Sequence, residues 1–144
     1  MIEPLSDIVK VNVQSLDDEH ELCALALANL ASVRTVDSLK QVFHIYLKHF
    51  THEEELLDEH LYQAVVHASS SKQSGFSADG NARTSHFSDH ARLLRDLKEE
   101  ILRLEGADES VTSKDFVNQV LRDFEGHANR YDDAYADRLS RAMD

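Results

Sequence analysis

The sequence predicts an all-α chain: an antiparallel up-down four-helix bundle with an N-terminal arm and a short C-terminal helix. Only four Gly and one Pro interrupt 144 residues, too few turn residues for a sheet protein. Strong helix formers, namely Leu, Ala, Glu, Lys, Arg and Gln, dominate the composition. Apolar residues recur at steps of three and four, which places them on one face of a helix.

Each element follows from local signals. Residues 1–15 contain Pro4 and no helical period, so they read as an extended arm ending at the capping pattern Ser15-x-x-Asp18. A first helix is expected over residues 16–33. Residues 34–37 connect it to a second, whose face runs through Val42, Ile45, Phe50, Leu56, Leu57, Leu61 and Val65 to about residue 68. Residues 69–81 (SSSKQSGFSADGN) have the composition of a flexible loop inside a single domain, 1–144, because neither flank could build a core alone. A third helix over 82–105 carries Leu93, Leu94, Leu97, Ile101 and Leu104, with Gly106 placed to cap its end. Thr112-x-x-Asp115 opens a fourth, striped by Phe116, Val120, Leu121 and Phe124, and a short helix over about 133–143 ends the chain.

Composition excludes several classes of partner. With 27 acidic against 15 basic side chains the formal charge is -12, which repels nucleic acid and anionic lipid. The most apolar stretch, residues 22–31, falls well short of the roughly 20 residues a membrane span needs. A lone Cys23 cannot form an intramolecular disulfide, and the opening MIEPLSD lacks the layout of a secretory signal, so a reducing, cytoplasmic location is expected.

Nine histidines stand out. His49 and Glu53 are four apart on the second helix, and His86 and His90 are four apart on the third, so each pair shares one helix face. His20 lies on the first helix, and His127 is followed five residues later by Asp132. Five residues of continuous α-helix leave two side chains roughly 140° apart. The fourth helix is therefore expected to break after His127, with Gly126 and Asn129 permitting it. Heights along the bundle also close. His20 and His49 each lie about 12 or 13 residues, roughly 18 to 20 Å, from the first connection, and His90 and His127 each about 15 residues from the last. All candidates then share one level between facing helices, where bundles build metal sites.

This pattern, a lone His followed by H-x-x-x-E, H-x-x-x-H and H-x-x-x-x-D, strongly resembles the hemerythrin family. The resemblance covers about residues 11–135 and includes the run His49-Phe-Thr-His-Glu53. It implies a cofactor of two iron ions with a bridging oxo or hydroxo group. His86, His90 and His127 would bind one iron, His20 and His49 the other, with Glu53 and Asp132 bridging and Asp133 a rival to Asp132. It also implies an oxygen pocket at Cys23 and Phe124, each three residues from a ligand. The connection between the second and third helices is longer than in compact family members, and no Trp lines the core.

The donor set itself favours binding over catalysis. Ferritin-like di-iron oxidases use mainly carboxylates, whereas this set is mainly neutral imidazole. Two ferrous ions, one hydroxide and two carboxylates sum to about +1, and uptake of dioxygen with two electrons and the hydroxide proton leaves about +1, so no extra charge is buried. A carrier, store or sensor of dioxygen is expected; a redox enzyme or scavenger acting on peroxide or nitric oxide, or an iron-responsive interaction module, is the alternative. No appended output segment points to signalling within the same polypeptide. His44, His52, His60 and His67 read as solvated surface or rim residues. The run Asp17, Asp18, Glu19 complements the first helix N-terminus, with Asp17 in reach of His20.

Overall fold

The computed structural model describes residues 13–63 and 78–143, and these are all-helical apart from short connections. Five helices follow one another: α1 (Gln14–Val33), α2 (Val36–His60), α3 (Ala78–Gly106), α4 (Lys114–His127) and α5 (Asp133–Met143), the last two joined by a π-helical turn, Ala128–Asp132. α1 packs on α2, α2 on α3, α3 on α4, and α4 back on α1, which closes a ring of four helices. α5 continues beyond the π-helical turn and packs on α2. No described helix is long and apolar enough to cross a membrane. The arm residues 1–12, His67 and most of the predicted loop lie outside the described residues.

Several element ends differ from expectation, each for a local reason. α1 starts at Gln14 with no side-chain cap, because Val13 and Leu16 are buried and seat the first turn instead; Ser15 stays exposed. Thr35 caps α2 by accepting from the Ser38 amide at 3.1 Å, so the first connection shrinks to Arg34 and Thr35. α2 ends at His60, earlier than the predicted 68, where Tyr62 turns inward to within 6.2 Å of the Phe87 ring. α3 begins at Ala78, inside the predicted loop, and absorbs Gly80, whose helix cost of about 1 kcal/mol packing can outweigh. At its other end Asp108, not Gly106, takes the left-handed conformation (φ 55). The Glu109 amide then reaches the Leu104 carbonyl at 2.9 Å, which is a Schellman closure. Ser113 rather than Thr112 caps α4, since the Thr112 hydroxyl is taken by Glu100.

Two apolar clusters fill the interior. The larger joins residues such as Cys23, Leu27, Tyr46, Phe50, Leu97 and Phe124; the smaller joins Val13, Leu16, Leu57, Tyr62, Tyr135, Ala136 and Leu139. Burying each Leu or Phe contributes about 1.5 to 3 kcal/mol. On α1, His20 falls between Leu16 of one cluster and Cys23 of the other; on α2, Glu53 falls between Phe50 and Leu57. The candidate ligands thus form a polar layer sealed above and below by hydrocarbon.

Candidate metal centre

All seven sequence-predicted ligands are buried: His20, His49, Glu53, His86, His90, His127 and Asp132. They come together from every helix of the ring. Two groups have their donor atoms within 4.8 Å of one another, Glu53 with His86, His90 and His127, and His20 with His49 and Glu53. Glu53 belongs to both. Its Oε1 lies 3.1 and 2.9 Å from the Nε2 atoms of His86 and His90, while its Oε2 lies 4.0 and 3.6 Å from those of His20 and His49. Asp132 divides in the same way, Oδ2 at 3.1 Å from His20 and Oδ1 at 3.8 Å from His86. Each carboxylate offers one oxygen to each group.

Asp132 reaches this position without the predicted helix break. The chain stays helical through Gly126 and Asn129, Gly126 has no positive φ, and the turn widens to a π-helix over Ala128–Asp132. With hydrogen bonds reaching from i to i+5, a π turn holds more residues, so a five-residue step returns to nearly the same face. Asp133 is the first residue of α5.

Three of the imidazoles are oriented by carboxylates that the sequence reading did not assign to them. His49 Nδ1 faces Glu19, His90 Nδ1 faces Glu54 and His127 Nδ1 faces Asp89, each at 2.7 Å. An ionised carboxylate only accepts, so each Nδ1 donates outward and each ring turns its Nε2 inward. The sequence did hold a signal: Glu19 adjoins His20, Glu54 adjoins Glu53 and Asp89 adjoins His90. A carboxylate beside a ligand on one helix thus reaches the ligand of the next helix, from α1 to α2, α2 to α3 and α3 to α4. Glu19 also holds His52 at 2.7 Å, so His52 supports the layer, while His44 is exposed and His60 sits beside Glu59. Tyr135 donates to Glu53 Oε2 at 2.6 Å, and the Tyr131 ring stacks on His86 at 4.7 Å with planes 2° apart.

The ionisation of the layer reflects its burial. Burial pushes His20 and His86 below the ordinary imidazole range and His127 down to about 4. It acts on His90 in the same sense, but Glu53 and Glu54 outweigh it and carry that ring up to about 9. Burial also opposes the charge on Glu53, yet His86 and His90 hold its carboxyl well below the usual range. Asp132, buried beside the negative Glu53, is held well above it.

The decisive feature is what lacks a partner. His20 Nδ1 and Nε2, Glu53 Oε1, the Nε2 atoms of His86, His90 and His127, and Asp132 Oδ1 are all buried without a hydrogen bond of proper geometry, the close approaches of His86 and His90 to Glu53 included. Such atoms are rare in native interiors unless a water or ion satisfies them. These converge, and imidazole nitrogen with carboxylate oxygen is a donor set for transition metals. Cys23 and Phe124 flank the layer, fully buried, with the Phe124 ring edge-on to His20 at 6.4 Å; burial pushes the Cys23 thiol far up, so it stays neutral. The chain matches no protein-family model, no curated protein and no solved structure. The geometry therefore carries the functional reading.

Proposed function

We propose that this chain is a hemerythrin-like, non-haem di-iron protein that binds dioxygen reversibly. The observation that carries the reading is the division of Glu53, with one oxygen toward His86 and His90 and the other toward His20 and His49. A single ion bound by the first group would leave the buried His20 Nε2 without a hydrogen bond, at a cost that a second ion removes. Seven mixed donors also exceed the four of a zinc site. We take the ring of helices as an up-down antiparallel bundle, because a two-residue connection such as that between α1 and α2 joins antiparallel neighbours.

Two ferrous ions, with a bridging oxo or hydroxo group between them, would supply the electrons that dioxygen accepts on binding. The chain's own residues do the rest. His86, His90 and His127 would hold one ion through three nitrogens, and His20 and His49 would hold the other through two, so the His20 side would have room for dioxygen. Glu19, Glu54 and Asp89 fix the Nε2 lone pairs toward the ions. Tyr135 holds a proton at Glu53 Oε2. Cys23 and Phe124, both apolar as they stand in the core, exclude water from the oxygen pocket. Anaerobic loading with ferrous iron, followed by air, tests this reading. A visible absorption band that forms with oxygen and disappears when oxygen is removed is the expected result. Immediate, irreversible conversion to the ferric state would favour the peroxide or nitric oxide alternative.

A further inference from the structure

Behind His127, on the outer side of the centre, lies a polar hollow of about 170 Å³. Arg92, Arg122 and Arg130 line it, beside Asp89, Asp123 and Tyr131. Arg92 is spoken for by Asp89, Asp96 and Asp123, so in a chain of formal charge -12 the positive charge this hollow can offer comes from Arg122 and Arg130. Its form comes from α4 and the π-helical turn. Arg122, Gly126 and Arg130 follow at four-residue steps, and both arginines are exposed. The glycine between them leaves the floor open, since a Cβ built there meets nothing within 4 Å.

The two aspartates are already engaged. Asp89 bonds His127 Nδ1 at 2.7 Å through one oxygen and Arg92 Nε at 2.9 Å through the other. Asp123 takes the Gln119 amide at 2.7 Å and Arg92 at 3.4 Å. Arg122 donates to Gln119 at 3.3 Å through one nitrogen, and Arg130 lies over the Tyr131 ring at 5.9 Å. The planar guanidinium fork matches the paired oxygens of an oxyanion.

We propose that this hollow binds a small tetrahedral oxyanion of the phosphate type, gripped by Arg122 and Arg130 at the rim, while Arg92 beneath them holds the aspartates of the wall. Arg92 also holds Asp89, which orients His127, so the anion sits one side chain away from the metal centre's outer edge. Recognition of the anion does not depend on what the His127 Nε2 atom holds, and the site stands or falls separately from the di-iron reading.

Calorimetric titration of the full chain with inorganic phosphate tests it. Saturable binding is expected, weakened about ten-fold or more in the double variant Arg122→Gln, Arg130→Gln, because each lost charge-assisted hydrogen bond approaches a decade in affinity. Metal content of that variant should match the wild type, since neither residue is among the ligands. Absence of saturable binding up to about 10 mM phosphate, beyond the millimolar weak end of specific affinity, overturns the proposal. So does binding that survives the double variant but vanishes on metal removal, which would put the phosphate on the metal centre.

Discussion

The two ends of the ring bury polar groups in opposite ways. Away from the ligand layer, Glu100 accepts from Arg103 at 2.7 and 3.0 Å and from the Thr112 hydroxyl, so both its oxygens are satisfied. The Thr112 amide reaches the Arg34 carbonyl at 2.8 Å and the Arg34 side chain returns to the Thr112 carbonyl at 2.9 Å, stitching the two connections together. That cluster is closed. In the ligand layer the outer nitrogens of His49, His90 and His127 are equally well held, but the inner atoms face one another without partners. Burial of charge alone does not mark a functional site; burial with convergent lone pairs left open does.

The sharpest way to break the comparison is to remove one glutamate from each cluster. Glu53→Ala should abolish metal uptake at both groups, because both use it, as read by metal analysis of the purified protein. Glu100→Ala should leave metal content unchanged and lower stability by about 1 to 3 kcal/mol, the cost of leaving the buried Thr112 hydroxyl without its acceptor, as read by urea unfolding. Equal metal loss in the two variants would erase the distinction.

A smaller effect is expected from Asp89→Asn, which keeps the His127 contact but removes the charge that orients and polarises it. Loss of a carboxylate behind a ligating imidazole typically weakens metal affinity about 10- to 100-fold. Ferrous titration of the variant checks this, and an unchanged affinity would reduce Asp89 to a surface ion pair with Arg92.

The layer should also respond to pH. His90, carried up to about 9, binds a proton across the neutral range that a metal must displace, and burial beside Glu53 shifts Asp132 toward its protonated form as well. His127, pushed down to about 4, has no proton to release there. Apparent affinity should therefore rise with pH, about ten-fold per unit for each proton displaced, and bound metal should be lost on acidification. Proton release on anaerobic ferrous addition at neutral pH measures it directly; no release would contradict the assignment of His90 as a ligand.

The least of these effects concerns the backbone. Since Gly126 is ordinary helix with open space around it, Gly126→Ala should stabilise the chain by about 0.5 to 1 kcal/mol. A helix broken at Gly126 would instead be strained by alanine, and thermal unfolding separates the two.

Much of the layer was legible in the sequence because ligand spacing on a helix is a local property. His49 with Glu53 and His86 with His90 needed only a 3.6-residue period. The π-helical turn was not legible: the five-residue step from His127 to Asp132 showed that something must re-aim the chain, but glycine chemistry pointed to a break where hydrogen bonding widened the helix. Capping was read from motifs, and tertiary demand overrode it twice, when buried Val13 and Leu16 seated α1 and when Glu100 took the Thr112 hydroxyl. The orienting carboxylates Glu19, Glu54 and Asp89 were marked only by their place beside a candidate ligand, which did not say which ring each would hold. Each acts across a helix interface, and nothing along one helix says which neighbour it will meet.

The central claim is that Glu53 and Asp132 stand between two metal ions. Anomalous diffraction at the iron edge, from crystals of the iron-loaded chain, tests it most directly. Two peaks roughly 3.5 to 4 Å apart are expected, one at His20 and His49 and one at His86, His90 and His127, with the Glu53 carboxylate between them. A single peak, or two that do not share Glu53, would contradict the account.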